Sequence, residues 1–77
     1  LEYGKIIANN LRAERTRNRL TREDCARVLG ISKVQYYNYE QDASGIKFSY
    51  IIQLARLFNC NINAFVINVK DIKKREQ

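Results

Sequence analysis

The stretch GISKVQYYNYE, residues 30–40, holds a lysine, a glutamine, an asparagine and three tyrosines. That composition is badly suited to burial and unusually rich for an idle surface. Its side chains match the edges of nucleic-acid bases. A lysine donates to guanine O6 or N7, an asparagine pairs bidentately with adenine, and a valine packs on a thymine methyl. Arg12, Arg15, Arg17, Arg19, Arg22 and Arg27 crowd the first third of the chain, and Lys70, Lys73, Lys74 and Arg75 sit near its end. Guanidinium and ammonium groups gathered in this way suit phosphates.

The chemistry of catalysis is missing from the same sequence. Histidine is absent, no glycine-rich phosphate loop or convergent carboxylate pair occurs, and Cys25 and Cys60 stand far apart within apolar patterns. Neither an enzyme, a metal site nor a cofactor is expected. Without a Cys-x-x-Cys spacing the two cysteines read as buried thiols in a reducing compartment rather than as a disulfide. No apolar run approaches the roughly 18 residues that span a bilayer, and Leu1 onward does not form a signal peptide, so a cytoplasmic protein without a membrane partner is expected. The chain opens on leucine, as a fragment or a trimmed product does.

Fourteen lysines and arginines against eight acidic residues give a net charge of +6, which points to a polyanionic partner or simply keeps a small protein soluble. At 77 residues there is room for one domain with one modest core, and no deep cleft between lobes.

The elements that position these groups are helical: proline is absent and glycine occurs only at positions 4, 30 and 45. Ile7, Ala8 and Leu11 define an amphipathic helix over residues 5–18. Thr21 and Asp24 form an acidic variant of the capping box and open a second helix, residues 22–29, with Cys25, Ala26, Val28 and Leu29 as its apolar set. Gly30 ends it, Ile31 anchors the turn, and Ser32 caps a third helix that runs to about Gln41. After turn residues 42–47, the stripe Phe48, Ile51, Ile52, Leu54, Ala55, Leu57 and Phe58 predicts a fourth helix covered on more than one side. Asn61 or Asn63 caps a fifth helix containing Ile62, Phe65 and Val66. Residues 65–72 fit either a helix (Phe65, Val66, Val69, Ile72) or an alternating strand (Phe65, Ile67, Val69).

Two short helices joined through Gly-Ile-Ser, with small Ala26 where they approach, make a helix-turn-helix, whose second helix enters the major groove while the first crosses the phosphate backbone. Tyr36 and Tyr39, three residues apart, share a face and are expected in the core with their hydroxyls at its rim. Stacking on single strands is the alternative reading of such tyrosines, although the sheet platform that usually goes with it is lacking.

Residues 20–41, LTREDCARVLGISKVQYYNYEQ, resemble the helix-turn-helix of the phage repressor and Cro superfamily, the Xre family, with Ala26, Gly30, Ile31, Ser32 and Glu40 at its characteristic positions. FSYIIQLARLFNCNINAFV, residues 48–66, is similar to its fourth and fifth helices. The resemblance implies an all-α, five-helix repressor-like domain over residues 5–66, followed by a charged C-terminal extension, residues 67–77, helical or strand-like. It implies base contacts from Lys33, Val34, Tyr37 and Asn38. Phosphate contacts are expected from Arg17, Arg19, Thr21, Arg22, Ser32, Gln35 and Lys47. It also implies a structural ion pair between Arg15 and Glu40. The chain departs from the family in three places: Arg22 stands for the usual glutamine, Tyr36 and Tyr39 replace aliphatic residues, and Asp42-Ala43-Ser44-Gly45 replaces a loop that is often basic.

The function this implies is sequence-specific binding of a double-stranded DNA operator and regulation of transcription, in a cytoplasmic, nucleoid-associated protein of bacterial or phage origin. A single recognition helix discriminates poorly, so a homodimer on a palindromic operator is expected. The surplus apolar residues Phe65, Val66, Val69 and Ile72 are its predicted interface, and a tail folded back on its own core is the alternative. The rival function is that of an antitoxin-type module, which binds a partner protein toxin and autoregulates its own operon.

Overall fold

The computed structural model describes residues 2–68, which form four α-helices and one 3-10 turn: α1 (Tyr3–Arg17), α2 (Arg22–Leu29), α3 (Lys33–Gln41), α4 (Phe48–Leu57) and the 3-10 turn Ile62–Phe65. Each boundary has a local cause. The Thr21 hydroxyl accepts from the Asp24 amide and the Asp24 carboxylate accepts from the Thr21 amide, so both arms of the capping box close at the start of α2. The Ser32 hydroxyl accepts from the Gln35 amide at 3.0 Å and opens α3. Asn61 caps the 3-10 turn through its side chain.

Three helices leave through the same device. At α1, α2 and α4 one residue turns left-handed, at Arg19 (φ 58°), Gly30 (φ 72°) and Asn59 (φ 53°). The next amide then reaches back to a carbonyl of the last turn: Leu20 to Arg15, Ile31 to Ala26 and Cys60 to Ala55. Only one of the three is glycine.

The expected fifth helix is corrected to a single 3-10 turn. It fills only four residues between its Asn61 cap and Val66, too few for a stable α-helix, and the chain continues without regular structure to residue 68. The expectation that α4 is covered on more than one side is corrected as well. Ile51, Leu54 and Ala55 are buried, while Phe48 and Ile52 face solvent.

The core is drawn from every helix. Leu11 of α1, Cys25 of α2, Tyr36 of α3, Leu54 of α4 and Phe58 meet Phe65 of the 3-10 turn, all essentially inaccessible to water. Each such side chain contributes about 1.5–3 kcal/mol by leaving water. Phe58 and Phe65 pack edge to face with centroids 6.2 Å apart. Phe65 is therefore corrected from an interface residue to a core residue, because the pocket among α1, α4 and the 3-10 turn takes the whole ring. Of the other predicted interface residues, Val66 is exposed, whereas Val69 and Ile72 lie outside the described residues.

One polar residue fastens this last segment. The Asn10 side-chain amide donates to the carbonyls of Phe65 at 2.8 Å and Ile67 at 2.9 Å. At the start of α1, the Ala43 amide donates to the Gly4 carbonyl at 3.0 Å. A side chain at position 4 would collide with Asp42 and Ser44, so glycine is what lets the 42–46 loop close over the helix.

Candidate nucleic-acid interface

The third helix has two unlike faces. Tyr36 and Glu40, four residues apart, point inward and are almost wholly buried. Lys33, Val34, Tyr37 and Asn38, spaced i, i+1, i+4 and i+5, lie together on the exposed face, with Val34 69% accessible. All four predicted base-contact residues thus share one exposed face of α3.

The helix is held at its inner face by charge. The Glu40 carboxylate, itself fully buried, accepts from Arg15 Nε at 2.6 Å and Nη2 at 3.3 Å, while Arg15 Nη1 donates to the Leu20 carbonyl at 2.9 Å. One guanidinium thereby ties together the end of α1, the entry to α2 and the end of α3. The Glu40 carboxylate holds the Arg15 guanidinium above its ordinary pKa against the opposing effect of partial burial. This places Arg15 and Glu40 side by side as the resemblance implies.

Arg22, expected on a phosphate, is engaged inside the domain. Its Nε lies 3.3 Å from the same Glu40, and its guanidinium sits over the Tyr37 ring at 5.3 Å. With a side chain 36% exposed it keeps an outward edge, so it supports Tyr37 from behind while remaining within reach of an anion.

The tyrosines divide. Tyr36 is in the core, but its hydroxyl does not reach the rim. It is buried beside the Glu40 carboxylate and the Cys25 thiol and makes no hydrogen bond of good geometry. Burial first, and Glu40 second, push its phenol far above the usual range. Tyr39 is only half-buried, packed edge to face on Tyr50 at 6.2 Å, and its hydroxyl accepts from Gln35 at 3.4 Å. The thiols divide too: Cys25 is buried and Cys60 half-buried, and burial raises both above the ordinary thiol pKa.

The remaining predicted phosphate contacts stand in different states. Thr21 and Ser32 spend a lone pair on capping; the Ser32 hydroxyl keeps its proton to donate, whereas that of Thr21 is turned to the Asp24 carboxylate. Arg17 pairs with Glu14, Lys47 lies over the Tyr50 ring at 5.5 Å, and Arg19 is exposed and enters none of the ion pairs among the described residues. Between the end of α1, the start of α2 and the start of α3 lies an open depression of about 360 Å³, lined by Arg15, Leu20, Thr21, Arg22, Glu23 and Lys33. It gathers three cations, each paired with Glu40 or Glu23, and the N-terminus of α2 beside the start of α3.

Two residues of this surface escaped the sequence. Glu23 forms an ion pair with Lys33 at 3.1 Å, a contact that crosses the turn and leaves no periodic signal. Asn10 of α1 reaches carbonyls of the 65–67 segment, and no local pattern marks it. Among the described residues no cluster of three or more histidine, cysteine or acidic side chains is placed to hold a metal ion, and no helix is long and apolar enough to cross a membrane.

A family model described as helix-turn-helix matches residues 11–65, from the buried Leu11 of α1 to the buried Phe65 of the 3-10 turn. No curated protein and no solved structure matches the chain.

Proposed function

We propose, on the premise that this chain belongs to the Xre/Cro-like helix-turn-helix family of DNA-binding regulators, that it reads a specific duplex sequence and controls transcription by occupying that site. The observation that carries the reading is the two-faced third helix. Its inner face is locked by Tyr36 and by the Arg15–Glu40 pair, and its outer face offers Lys33, Val34, Tyr37 and Asn38 to base edges. Around that face Arg17, Arg19, Thr21, Arg22, Ser32, Gln35 and Lys47 position the protein on phosphates, which fix register without specifying sequence.

The protein acts as a homodimer, because one helix reads too few base pairs to find its site among competitors. Val66 and Ile67, 42% and 43% exposed on a segment that Asn10 holds in place, are the described start of the dimer surface, which Val69 and Ile72 would extend. With Phe65 in the core, truncation before residue 65 is no test of this interface. Aspartate at the exposed Val66 leaves the core intact and converts a sedimenting dimer to a monomer.

The decisive experiment on DNA binding is fluorescence anisotropy on a selected and on a random duplex over a range of salt. Log K falls with log salt by about 0.9 per phosphate contact, and substituting Lys33→Ala narrows the gap between the two duplexes by about 1–3 kcal/mol. A response flat in salt overturns the reading.

A further inference from the structure

Glu23 is the one carboxylate lining the basic depression at the start of the recognition helix, and in the first turn of α2 it favours the helix dipole only weakly at its exposure. Its partner is Lys33, the first residue of α3, whose Nζ lies 3.1 Å from Glu23 Oε1. Both side chains are about 60% exposed, so the pair adds little to stability. Its cost to an anion-binding surface is larger, since a carboxylate beside Thr21, Arg22 and Lys33 repels any phosphate that settles among them.

Lys33 has three N–H donors and a flexible stem, and alone it would turn to the nearest phosphate. Glu23 takes one donor and holds the ammonium at the start of α3, the helix whose exposed face carries Val34 and Tyr37. The next residue back, Arg22, does the equivalent from the other side by lying over the Tyr37 ring and against Glu40. Neighbouring side chains of α2, one acidic and one basic, thus each brace a reading residue of α3.

We propose, resting on the DNA-binding reading above, that Glu23 is a specificity-determining residue: it steers Lys33 away from phosphates and toward a base acceptor, and its own charge weakens binding to every sequence that offers Lys33 no such acceptor. A guanine, with O6 and N7 side by side, compensates the lysine for sharing its donors; other bases at that position do not.

The test is selection of binding sites from a duplex library with a randomised central segment, carried out on the full chain as wild type, Glu23→Gln, Glu23→Asp and Lys33→Ala. Anisotropy on one random duplex from 0.05 to 0.3 M salt accompanies the selection. Glu23→Gln is expected to bind the random duplex up to about eightfold more tightly at 0.1 M salt, with a salt slope steeper by about one contact. It is also expected to lose preference at one base pair, the same one that Lys33→Ala loses, while the rest of the selected site is unchanged. Glu23→Asp, which keeps the charge, retains the wild-type preference at that position. A Glu23→Gln protein that selects the wild-type site at every position overturns the proposal, as does loss of preference at all positions together. A wild type that retains no duplex at any salt overturns the DNA reading and this inference with it, and so separates the two failures. Unchanged circular dichroism melts in the Glu23 variants assign these differences to the surface and not to the fold.

Discussion

Removing Glu40 is the sharpest test of how the recognition helix is held. Its side chain is completely inaccessible, and its chief partner Arg15 is only 12% exposed. Substituting Glu40→Ala leaves the Arg15 guanidinium nearly buried with the Leu20 carbonyl as its remaining partner, a loss of about 3–5 kcal/mol. The second ion pair, to Arg22 at 3.3 Å with that side chain 36% exposed, adds at most about 1 kcal/mol after screening by solvent. A domain of this size has roughly 4–12 kcal/mol of stability in all, so the alanine variant is close to the limit of folding. Glu40→Gln is therefore the better probe. It keeps the volume and turns an acceptor toward one guanidinium N–H, but removes the charge and sets its own N–H groups against another. Its loss falls at the lower end, about 3 kcal/mol, and lowers the melting temperature by about 12–24 °C. Urea unfolding followed by circular dichroism measures it. The double substitution Arg15→Met with Glu40→Leu removes both charges and refills the space, and falls within about 2 kcal/mol of wild type. A Glu40→Gln loss under about 1 kcal/mol, or a double variant as unstable as the summed singles, refutes the clamp.

Three smaller perturbations probe other parts of the scaffold. Arg19→Gly relieves a left-handed arginine and raises stability by about 0.5–1 kcal/mol in urea titration, while weakening random-duplex binding if the side chain meets phosphate. Asn10→Ala removes two hydrogen bonds, one of them exposed, and costs about 1–2 kcal/mol by the same assay. Asp24 is held below the usual carboxylate range, chiefly by the Thr21 amide and then by the Thr21 hydroxyl. The stability this confers is complete above the ordinary carboxylate pKa and is lost as pH falls through the lower folded value. A Thr21→Val substitution moves the Asp24 resonance midpoint upward in an NMR titration, and an unmoved midpoint disproves the capping assignment.

Local features of this fold were legible in the sequence, and long-range ones were not. Thr21 with Asp24, Ser32 and Gly30 announce helix ends because their work is done within three residues, and the structure shows each of them doing it. The Arg15–Glu40 pair was accessible only through the resemblance, since the two residues are 25 positions apart. An apolar stripe states that water must be excluded, and not by what. That is why Phe65 reads equally well as a core or a partner residue, and why the stripe of α4 promised a second covering that Phe48 and Ile52 lack. The length of the fifth element was obscured for a related reason: the helical spacing of Ile62, Phe65 and Val66 is shared by a single 3-10 turn. Within the site, the expectation for Lys33, Val34, Tyr37 and Asn38 came through the resemblance, and the contacts that surround them were not legible at all. Arg22 with Glu40 and Tyr37, and Glu23 with Lys33, cross between helices, where sequence distance carries no information about proximity.

The amide of Asn10 grips carbonyls 55 and 57 residues further along, and so it also sets a clock. At a synthesis rate of about 5–20 residues per second, roughly 3–11 s separate the making of Asn10 from the making of its first partner. Throughout that interval α1 lacks Phe65, the ring that seals its core face, and the helix-turn-helix is complete in sequence before it is fastened in space. A nascent chain therefore carries its whole recognition helix, with Arg15 and Glu40 both made, some time before the ring that seals the core face of α1 exists.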